Sequence, residues 1–349
     1  MKISIGTKIK DGPWGGGNLF AINLKNYLES NGHKVFNNLD EDDIDIILIT
    51  EPRKTSESSA FTHIDVWYYK NFVNSKVIVV HRLNECDERK NTKFVNKYLL
   101  EANKVADHTI FVSEWLRNLY KKQGEISKSN EVIMAGADKS IFNIENRKVW
   151  DGKEKLKITT HHWGANWNKG FEIYKKIDKM LDEDHWKNLF EFTYIGNLPK
   201  KFSFNNTKVI EPISGDNLAK EIKKNHIYIT ASLNEPSGNH HIEAAQCGLP
   251  ILFIDSGGIP EYCNGFGVKF NNDNFQTKFE EIINDYKEYS AEIINYPYSA
   301  EKMSENYLNT FNDLNLNKQK IISSRENAYH INKFLKNIYL LKRKFKKSI

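Results

Sequence analysis

The sequence consists of short, continuous runs of apolar and β-branched residues, each followed by a stretch with helical spacing. In the first half, the runs predict strands at residues 3–5, 34–36, 44–49, 77–80 and 109–112. Apolar residues between them recur every three or four positions and predict helices at residues 18–30, 92–105 and 114–121. Because the strands are apolar without alternation, we expect both faces of a parallel sheet to be covered by helices.

The second half repeats this alternation after a polar stretch at residues 143–154. It predicts strands at residues 157–160, 190–195, 227–230 and 251–254, and helices at residues 170–181, 218–224 and 242–246. The 349 residues exceed the usual size of a single domain, about 100–200 residues. We therefore expect an α/β fold with two doubly wound domains that face a cleft. The expected limits are residues 1–148, residues 149–298, and a C-terminal helical segment with a basic tail at residues 299–349.

Composition argues against several classes of protein. No apolar run approaches the ~18 residues that a membrane-spanning helix needs. The first residues lack the apolar segment of a secretory signal. Cys86, Cys247 and Cys263 are far apart and odd in number, so we expect reduced thiols and not a disulfide framework. These features predict a cytoplasmic protein.

Positive charge is concentrated at the C-terminus. The net charge is +5, but residues 333–349 contain seven basic residues and no acidic one, and the rest of the chain has 43 basic and 45 acidic residues. A nucleic-acid-binding domain needs a basic face on the fold itself, so we expect no nucleic acid partner. Phe334, Ile338 and Leu341 have helical spacing among the basic residues. Two interpretations stay open: a helix in peripheral contact with the inner face of a membrane, or a terminal helix packed on the N-terminal domain.

The clearest chemical pattern lies in residues 234–250. A helix is expected to begin after the loop that contains Gly238 and Asn239, and to end at Gly248 before Pro250. Free N–H groups at the amino end of such a helix bind phosphate well.

Two glutamates, Glu235 and Glu243, lie on either side of this loop. Taken singly, Glu235 is explained as a surface residue and Glu243 as a partner of the helix dipole. Together they would accept hydrogen bonds from hydroxyl groups on both sides of a bound phosphate. The combination predicts a nucleotide-sugar, in which a diphosphate joins two sugars.

This block resembles the donor-site signature of glycosyltransferase family 4, whose members are retaining enzymes with the GT-B fold, many of them in bacterial glycan and polysaccharide biosynthesis. The matching positions are Glu235 and Glu243, the Ala-Ala-Gln-Cys-Gly-Leu-Pro run at 244–250, and the Ser-Gly-Gly-Ile-Pro-Glu run at 256–261. Weaker landmarks occur in the family order at residues 15–17, 32–35, 79–81, 112–115, 136–142 and 169–170. The resemblance covers about residues 1–290 and implies two Rossmann-like domains.

The resemblance also implies roles for individual residues. Lys169 would neutralise the donor diphosphate, where its charge stabilises the leaving phosphate. Glu235 would bind hydroxyl groups of the donor sugar, and Glu243 would bind the ribose. His81 would contact the donor sugar near the reacting carbon, although a histidine at the end of a strand is commonly structural.

Glycines and backbone amides complete the expected donor site. Gly16 and Gly17, with the neighbouring Gly15, would let the backbone approach donor and acceptor closely. The amides of Gly238 and Asn239 would face the sugar or the diphosphate. Trp14 is explained equally by stacking on a sugar and by packing.

One position departs from the family pattern. The family usually has an arginine about five residues before the lysine, and here that position is Gly164. Asn166 and Asn168 are neutral donors that could replace it. The charged turn at residues 82–89 has two open explanations, an acceptor site or a solvated loop.

No metal or other cofactor is expected. The Asp43-Ile44-Asp45 sequence resembles a metal-binding DxD motif, but its place at the start of a strand explains its alternation. The adjacent pairs His161-His162 and His240-His241 lack a third ligand at a recognisable spacing.

The sequence therefore predicts transfer of a sugar from a nucleotide-diphosphate donor to a hydroxyl group of a glycan, polysaccharide or lipid-linked acceptor, with retention of configuration. Two alternatives stay open. One is another GT-B reaction, such as that of a phosphorylase or a nucleotide-sugar epimerase. The other is a binding subunit without turnover, which the glycine at position 164 keeps under consideration.

Overall fold

The computed structural model of this chain describes residues 1–10, 15–127, 129–325 and 333–347. Two six-stranded sheets dominate it, and all of their strand pairs are parallel. The predicted α/β architecture with two doubly wound domains is confirmed. Trp14 lies outside the described residues.

The N-terminal sheet has the strand order β2-β1-β3-β4-β5-β6. Its strands are β1 (Lys2–Ile5), β2 (Lys34–Phe36), β3 (Ile46–Ile49), β4 (Ile78–Leu83), β5 (His108–Phe111) and β6 (Asn130–Val132). All four residues of β3 have no exposed surface. Ile46 and Leu48 belong to one apolar cluster and Ile47 and Ile49 to another, so both faces of the sheet are covered as the continuous apolar pattern predicts.

The helices of the N-terminal domain follow its strands. They are α1 (Gly16–Ser30), α2 (His63–Tyr68), α3 (Asp87–Lys90), α4 (Val95–Asn103) and α5 (Glu114–Gln123), and a π-helical turn (Tyr69–Val73) continues α2. The helix predicted at residues 92–105 is preceded by the separate short helix α3, which ends at Asn91 in the left-handed region (φ 53°).

The C-terminal sheet has the strand order β12-β11-β10-β7-β8-β9. Its strands are β7 (Leu156–His162), β8 (Phe190–Gly196), β9 (Lys208–Ile210), β10 (Ile227–Thr230), β11 (Ile251–Ile254) and β12 (Gly267–Phe270). Its helices are α6 (Phe171–Met180), α7 (Asp184–Leu189), α8 (Gly215–Ile222), α9 (Asn239–Gln246), α10 (Ile259–Cys263), α11 (Phe275–Asn284) and α12 (Tyr286–Glu292). The strand order reverses between β7 and β10, which is where open α/β sheets bind ligands.

The chain then returns to the N-terminal domain. Helix α13 (Ala300–Leu316) places Tyr307 and Phe311 in the same apolar cluster as Phe20 of α1. The rings of Phe20 and Tyr307 are 5.2 Å apart. Two more helices, α14 (Lys318–Ser323) and α15 (Lys333–Lys347), complete the described chain.

The edge strands β6, β9 and β12 were not predicted. Each has only three or four residues, and β6 and β9 contain charged residues and are partly exposed, so no continuous apolar run marks them. None of the helices in the described ranges is long and apolar enough to cross a membrane.

Candidate donor site

Two loops meet where the strand order reverses. The loop after β7 contains a single 3₁₀ turn (Trp167–Lys169), and the loop after β10 leads through Glu235 to α9. Gly170 adopts φ +104°, and a Cβ atom there would lie 2.7 Å from the Cβ of Ala231. Only glycine allows this approach, which brings Lys169 against the end of β10. The Ser232 hydroxyl donates to the Lys169 carbonyl at 3.3 Å.

Glu235 is buried at this junction and contacts two cations. Its Oε2 lies 2.5 Å from Lys169 Nζ, and its Oε1 lies 2.9 Å from Arg89 Nε. Lys169 belongs to the C-terminal domain and Arg89 to α3 of the N-terminal domain. We call Glu235, Lys169 and Arg89 the carboxylate site, because one carboxylate joins cations from both domains.

Burial and neighbouring charges have opposite effects on the pKa values of Glu235 and Lys169. Burial raises the pKa of Glu235, but Arg89 and Lys169 outweigh it and lower that pKa to about 2. Burial also lowers the pKa of Lys169, and Glu235 offsets part of that decrease. Glu235 is therefore ionised at neutral pH, and both of its oxygens can act as hydrogen-bond acceptors only.

Further contacts hold α3 against the same loops. The side-chain amide of Asn168 donates to the Arg89 carbonyl, and that of Asn234 donates to the Glu88 carbonyl, both at 3.3 Å. Within α3 and the residues before it, Arg89 Nη1 donates to Glu85 Oε2 at 3.1 Å, and Lys90 contacts the same oxygen at 3.0 Å. The charged turn at residues 82–89 thus contributes to the interdomain contact, which composition alone did not resolve.

The amino end of α9 lies beside the carboxylate site. Gly238 precedes the helix with φ +80°, and a Cβ atom there would lie 2.7 Å from a ring carbon of His241 and 3.0 Å from Cγ of Glu235. A Cβ atom on Gly16 would lie 2.9 Å from Asn239 Cγ. The structure therefore brings together Gly16, Gly238, Asn239, Glu235 and Lys169 from the predicted set. Gly17 is adjacent, with open space around its Cβ position.

Glu243, in α9, lies close to the end of β7 in the C-terminal domain. Its Oε2 is 2.9 Å from Nε2 of His161, the penultimate residue of β7, and the side chain is buried. The His161 ring in turn lies 6.3 Å from that of His240, which is next to Gly238. Glu243 and Glu235 are thus on the same end of the sheet, with histidines between them.

The two histidine pairs form one buried cluster that the sequence spacing did not predict. The rings of His162 and His240 are 4.6 Å apart, and Nε2 of each is close to a hydroxyl group, Tyr174 at 2.7 Å and Thr230 at 2.8 Å. Burial lowers the pKa values of both histidines well below the usual range, so both are neutral. In the part of the chain that the structure describes, no three His, Cys, Asp or Glu side chains are grouped to hold a metal ion.

His81 has no described hydrogen bond or ion pair to the carboxylate site. It is fully buried in β4, and its Nδ1 lies 3.1 Å from the amide nitrogen of Asn103 on α4. Its Nε2 has no hydrogen-bond partner among the described residues. Burial lowers its pKa to about 3, so the ring is neutral. Its role toward the donor sugar stays a prediction.

A second interdomain contact involves the end of the Ser-Gly-Gly-Ile-Pro-Glu run. The Glu261 carboxylate accepts hydrogen bonds from the backbone N–H groups of Glu114 and Trp115, each at 2.7 Å, at the amino end of α5. The Gly258 N–H donates to the Glu235 carbonyl at 2.9 Å, and a Cβ atom on Gly257 would lie 2.5 Å from that oxygen. The glycine pair is required for this close packing.

The comparisons with solved structures identify the fold. HepE from Anabaena in complex with UDP superposes with a TM-score of 0.65 and 14% identity, over 90% of this chain and 100% of that chain. A glycosyltransferase from Rickettsia africae gives a TM-score of 0.61 and 14% identity, over 90% of this chain and 98% of that one. This chain has the GT-B fold.

Two sequence comparisons find related proteins, and one of them places its match in the C-terminal domain. Residues 197–300 match the model of the family Glycosyl transferases group 1. The phosphatidylinositol N-acetylglucosaminyltransferase gpi3 subunit of Schizosaccharomyces pombe is 22% identical over an alignment of 150 residues, and the match covers 39% of this chain. The match spans 32% of that relative, about a third of its length. The matched family segment contains Glu235, Gly238, Asn239 and Glu243.

Replacing Glu235 by glutamine tests the carboxylate site. Glu235→Gln leaves the buried Lys169 ammonium without its counter-charge and removes one of the two carboxylates that face the partly buried Arg89, so we expect the free energy of unfolding at pH 7 to fall by about 3–5 kcal/mol. Because the folded-state pKa of Glu235 is depressed to about 2 from 4.5, its contribution is present above pH 4.5 and is lost as the pH falls toward 2. The difference between wild type and variant in urea unfolding should therefore shrink over that interval.

Glu305→Gln is the matched control. Glu305 pairs with Lys302 on the surface of α13, and both side chains are about half exposed. We expect a change within about 0.5 kcal/mol at every pH. A Glu235→Gln variant as stable as wild type at pH 7 would contradict the carboxylate site.

Proposed function

We propose that this chain transfers a glycosyl group from a nucleotide-diphosphate sugar to a hydroxyl group of an acceptor, with retention of the anomeric configuration. The observation that carries the proposal is the carboxylate site, where Lys169 and Arg89 converge on Glu235 beside the amino end of α9. This site lies at the switch point of the sheet, where α/β folds bind ligands. The GT-B fold and the family match of residues 197–300 support the same reaction class.

Each donor group has a proposed partner. The Lys169 ammonium binds the diphosphate, together with the free N–H groups at Gly238 and Asn239. Glu235 accepts hydrogen bonds from donor-sugar hydroxyls, and Glu243 accepts them from the ribose. Lys169 and Arg89 contact Glu235, and His161 contacts Glu243, so donor binding would exchange these partners for ligand groups.

The proposed chemistry is a front-face displacement. The bond between the anomeric carbon and the phosphate oxygen breaks, and the acceptor oxygen bonds to that carbon from the same face. The acceptor proton moves to the departing phosphate, so no separate general base is needed. Lys169 stabilises the charge that develops on the phosphate. Gly16 and Gly17 let the backbone approach the reacting groups, and neutral His81 is proposed to contact the donor sugar.

Binding and transfer assays test this function. UDP-, GDP-, ADP- and CDP-sugars are compared by thermal shift, beginning with UDP-sugars because HepE forms complexes with UDP and UDP-glucose. A matching donor stabilises the fold by mass action, about 2.7 kcal/mol at 100 times its Kd. Radiolabelled sugar should then move to an acceptor with the same anomeric configuration in the product. Release of sugar 1-phosphate or of an epimer would instead indicate a phosphorylase or epimerase.

Removing the Lys169 ammonium should slow the chemical step. Lys169→Ala is expected to lower kcat by about 100- to 1,000-fold, because the variant lacks the preorganised positive charge that stabilises the leaving phosphate. Lys175→Ala removes an equal charge from the exposed side of α6 and should leave kcat unchanged. Steady-state kinetics of the two variants test this prediction. Equal kcat values for Lys169→Ala and Lys175→Ala would show that Lys169 does not act in the reaction.

A second candidate function is a donor-binding subunit without turnover. Gly164 in place of the family arginine favours it, as does similarity to a protein whose name describes a subunit. Such a chain would give the thermal shift with a nucleotide-sugar but no transfer in the presence of acceptors.

We also propose that α15 contacts an anionic membrane surface, which suits a lipid-linked acceptor. Tyr339 stacks on Tyr68 at 5.2 Å, and Arg343 donates to Asp42 at 2.9 Å and to neighbouring carbonyl groups, so one side of α15 lies on the N-terminal domain. Phe334 and Leu341 are 71% and 57% exposed among basic residues. The two interpretations of the tail are thus compatible on one helix.

Vesicle sedimentation checks this contact. Wild type should bind vesicles that contain about 30% phosphatidylserine, and less at higher salt because charge attraction is screened. The double variant Phe334→Ser/Leu341→Ser should bind several-fold more weakly. Leu316→Ser, at the 82% exposed end of α13, is the control. Equal binding by all three proteins, or none by wild type, would refute the contact.

A further inference from the structure

The carboxylate site points to a second phosphate-binding residue that the family pattern does not assign. We propose that Arg89 is the second cation on the donor diphosphate, that the N-terminal domain supplies it, and that it replaces the arginine missing at Gly164. This inference rests on the proposed function and identifies how the two domains would share its donor.

Gly164 lies beside the Lys169 side chain and has no side chain of its own. A Cβ atom on Gly164 would lie 3.7 Å from Lys169 Cε and 3.6 Å from the Asn166 amide nitrogen, which is ordinary contact. Gly164 is outside the left-handed region, so its backbone would accept a side chain. An arginine at this position would lie beside Lys169, and the sequence has none there.

Arg89 occupies the opposite side of the same junction. Arg89 Nε lies 2.9 Å from Oε1 of Glu235, and Lys169 Nζ lies 2.5 Å from Oε2. Two cations on the two oxygens of one anion is also the geometry in which a phosphate is bound, and guanidinium groups suit phosphate oxygens. The Glu235 carboxylate therefore occupies the kind of position between two cations that a donor phosphate would take.

The Arg89 side chain retains unused donor capacity. Its Nε–H is buried and, although within ion-pair distance of Glu235, forms no aligned hydrogen bond with any described residue. A buried N–H without an acceptor costs free energy, which a phosphate oxygen would recover. Glu85 holds the other end of the guanidinium at 3.1 Å, so the group is oriented before ligand binds.

Hydrogen bonds to the main chain of α3 position Arg89 relative to the loops after β7 and β10. Asn168 lies directly before Lys169 and Asn234 directly before Glu235, and their amides donate to the carbonyls of Arg89 and Glu88. The loops after β7 and β10 thus each form a hydrogen bond with a backbone carbonyl of α3. A diphosphate bound between Lys169 and Arg89 would bridge the two domains, and donor binding would be coupled to domain closure.

In the proposed reaction, Arg89 shares the role of Lys169. As the bond between the anomeric carbon and the phosphate oxygen breaks, the electron pair stays on the phosphate. Arg89 and Lys169 stabilise that charge from opposite sides, and the acceptor proton neutralises part of it. Glu235, displaced from both cations by the phosphate, is then available for sugar hydroxyls.

Calorimetry with UDP and uridine, and with GDP and guanosine as the second pair, tests the proposal. Arg89→Ala should weaken nucleoside diphosphate binding by about 10- to 100-fold, as expected for a lost charged hydrogen bond, and leave nucleoside binding unchanged. Arg89→Lys, which keeps the charge without the planar group, should lie in between. Lys93→Ala removes an exposed charge close to α3 and should bind like wild type.

The decisive measurement is whether an arginine at position 164 restores nucleoside diphosphate binding. Adding Gly164→Arg to the Arg89→Ala variant should raise its affinity for the nucleoside diphosphate at least tenfold, because the C-terminal domain then supplies a cation beside Lys169. The proposal is overturned if Arg89→Ala binds the diphosphate as tightly as wild type, if nucleoside affinity falls equally, or if Gly164→Arg restores nothing. Wild type that binds no nucleoside diphosphate at all would refute the proposed function itself.

Discussion

The buried carboxylate of Glu235 contacts one cation from each of the two domains of this protein. Glu235 would be costly to bury as an ion on its own, and it is stable only because a lysine and an arginine lie within 3 Å of its two oxygens. One cation belongs to each domain, so the closed arrangement of the domains and the ionisation of Glu235 depend on each other. The same geometry makes the site suitable for an anion with several oxygens.

The parallel topology explains how residues far apart in sequence reach this carboxylate. Lys169 and Glu235 are 66 positions apart, but they follow the two strands between which the order of the sheet reverses. The carboxyl ends of parallel strands meet at one edge, and the helix that follows presents its free N–H groups there. The C-terminal domain thus contributes a lysine, a carboxylate and a helix amino end to one location.

Contacts within the C-terminal domain show why several glycines have no substitute. Gly170 and Gly238 adopt positive φ values and lie against neighbouring atoms, and Gly257 lies against the carbonyl of Glu235. Each removes a Cβ atom that would separate the loops by an ångström or more. The Glu261 carboxylate at the amino end of α5 adds a second charge-assisted contact between the domains. Close backbone approach and carboxylate contacts therefore act together at the cleft.

The sequence alone determined the architecture and pointed to two of the three residues of the carboxylate site, Lys169 and Glu235. Continuous apolar strands separated by helices specify buried parallel sheets, and the loop around Gly238 marks a helix amino end, because local periodicity and turn chemistry depend on near neighbours in the chain. The short strands at the sheet edges escaped prediction because three residues carry too little pattern. Only the tertiary structure decided that Arg89, and not a residue near Gly164, shares an anion with Lys169. It also united two histidine pairs and placed α13 on the N-terminal domain. These contacts join segments from 78 to about 290 positions apart, and no spacing rule along a chain records which strands become neighbours when sheets fold and domains close.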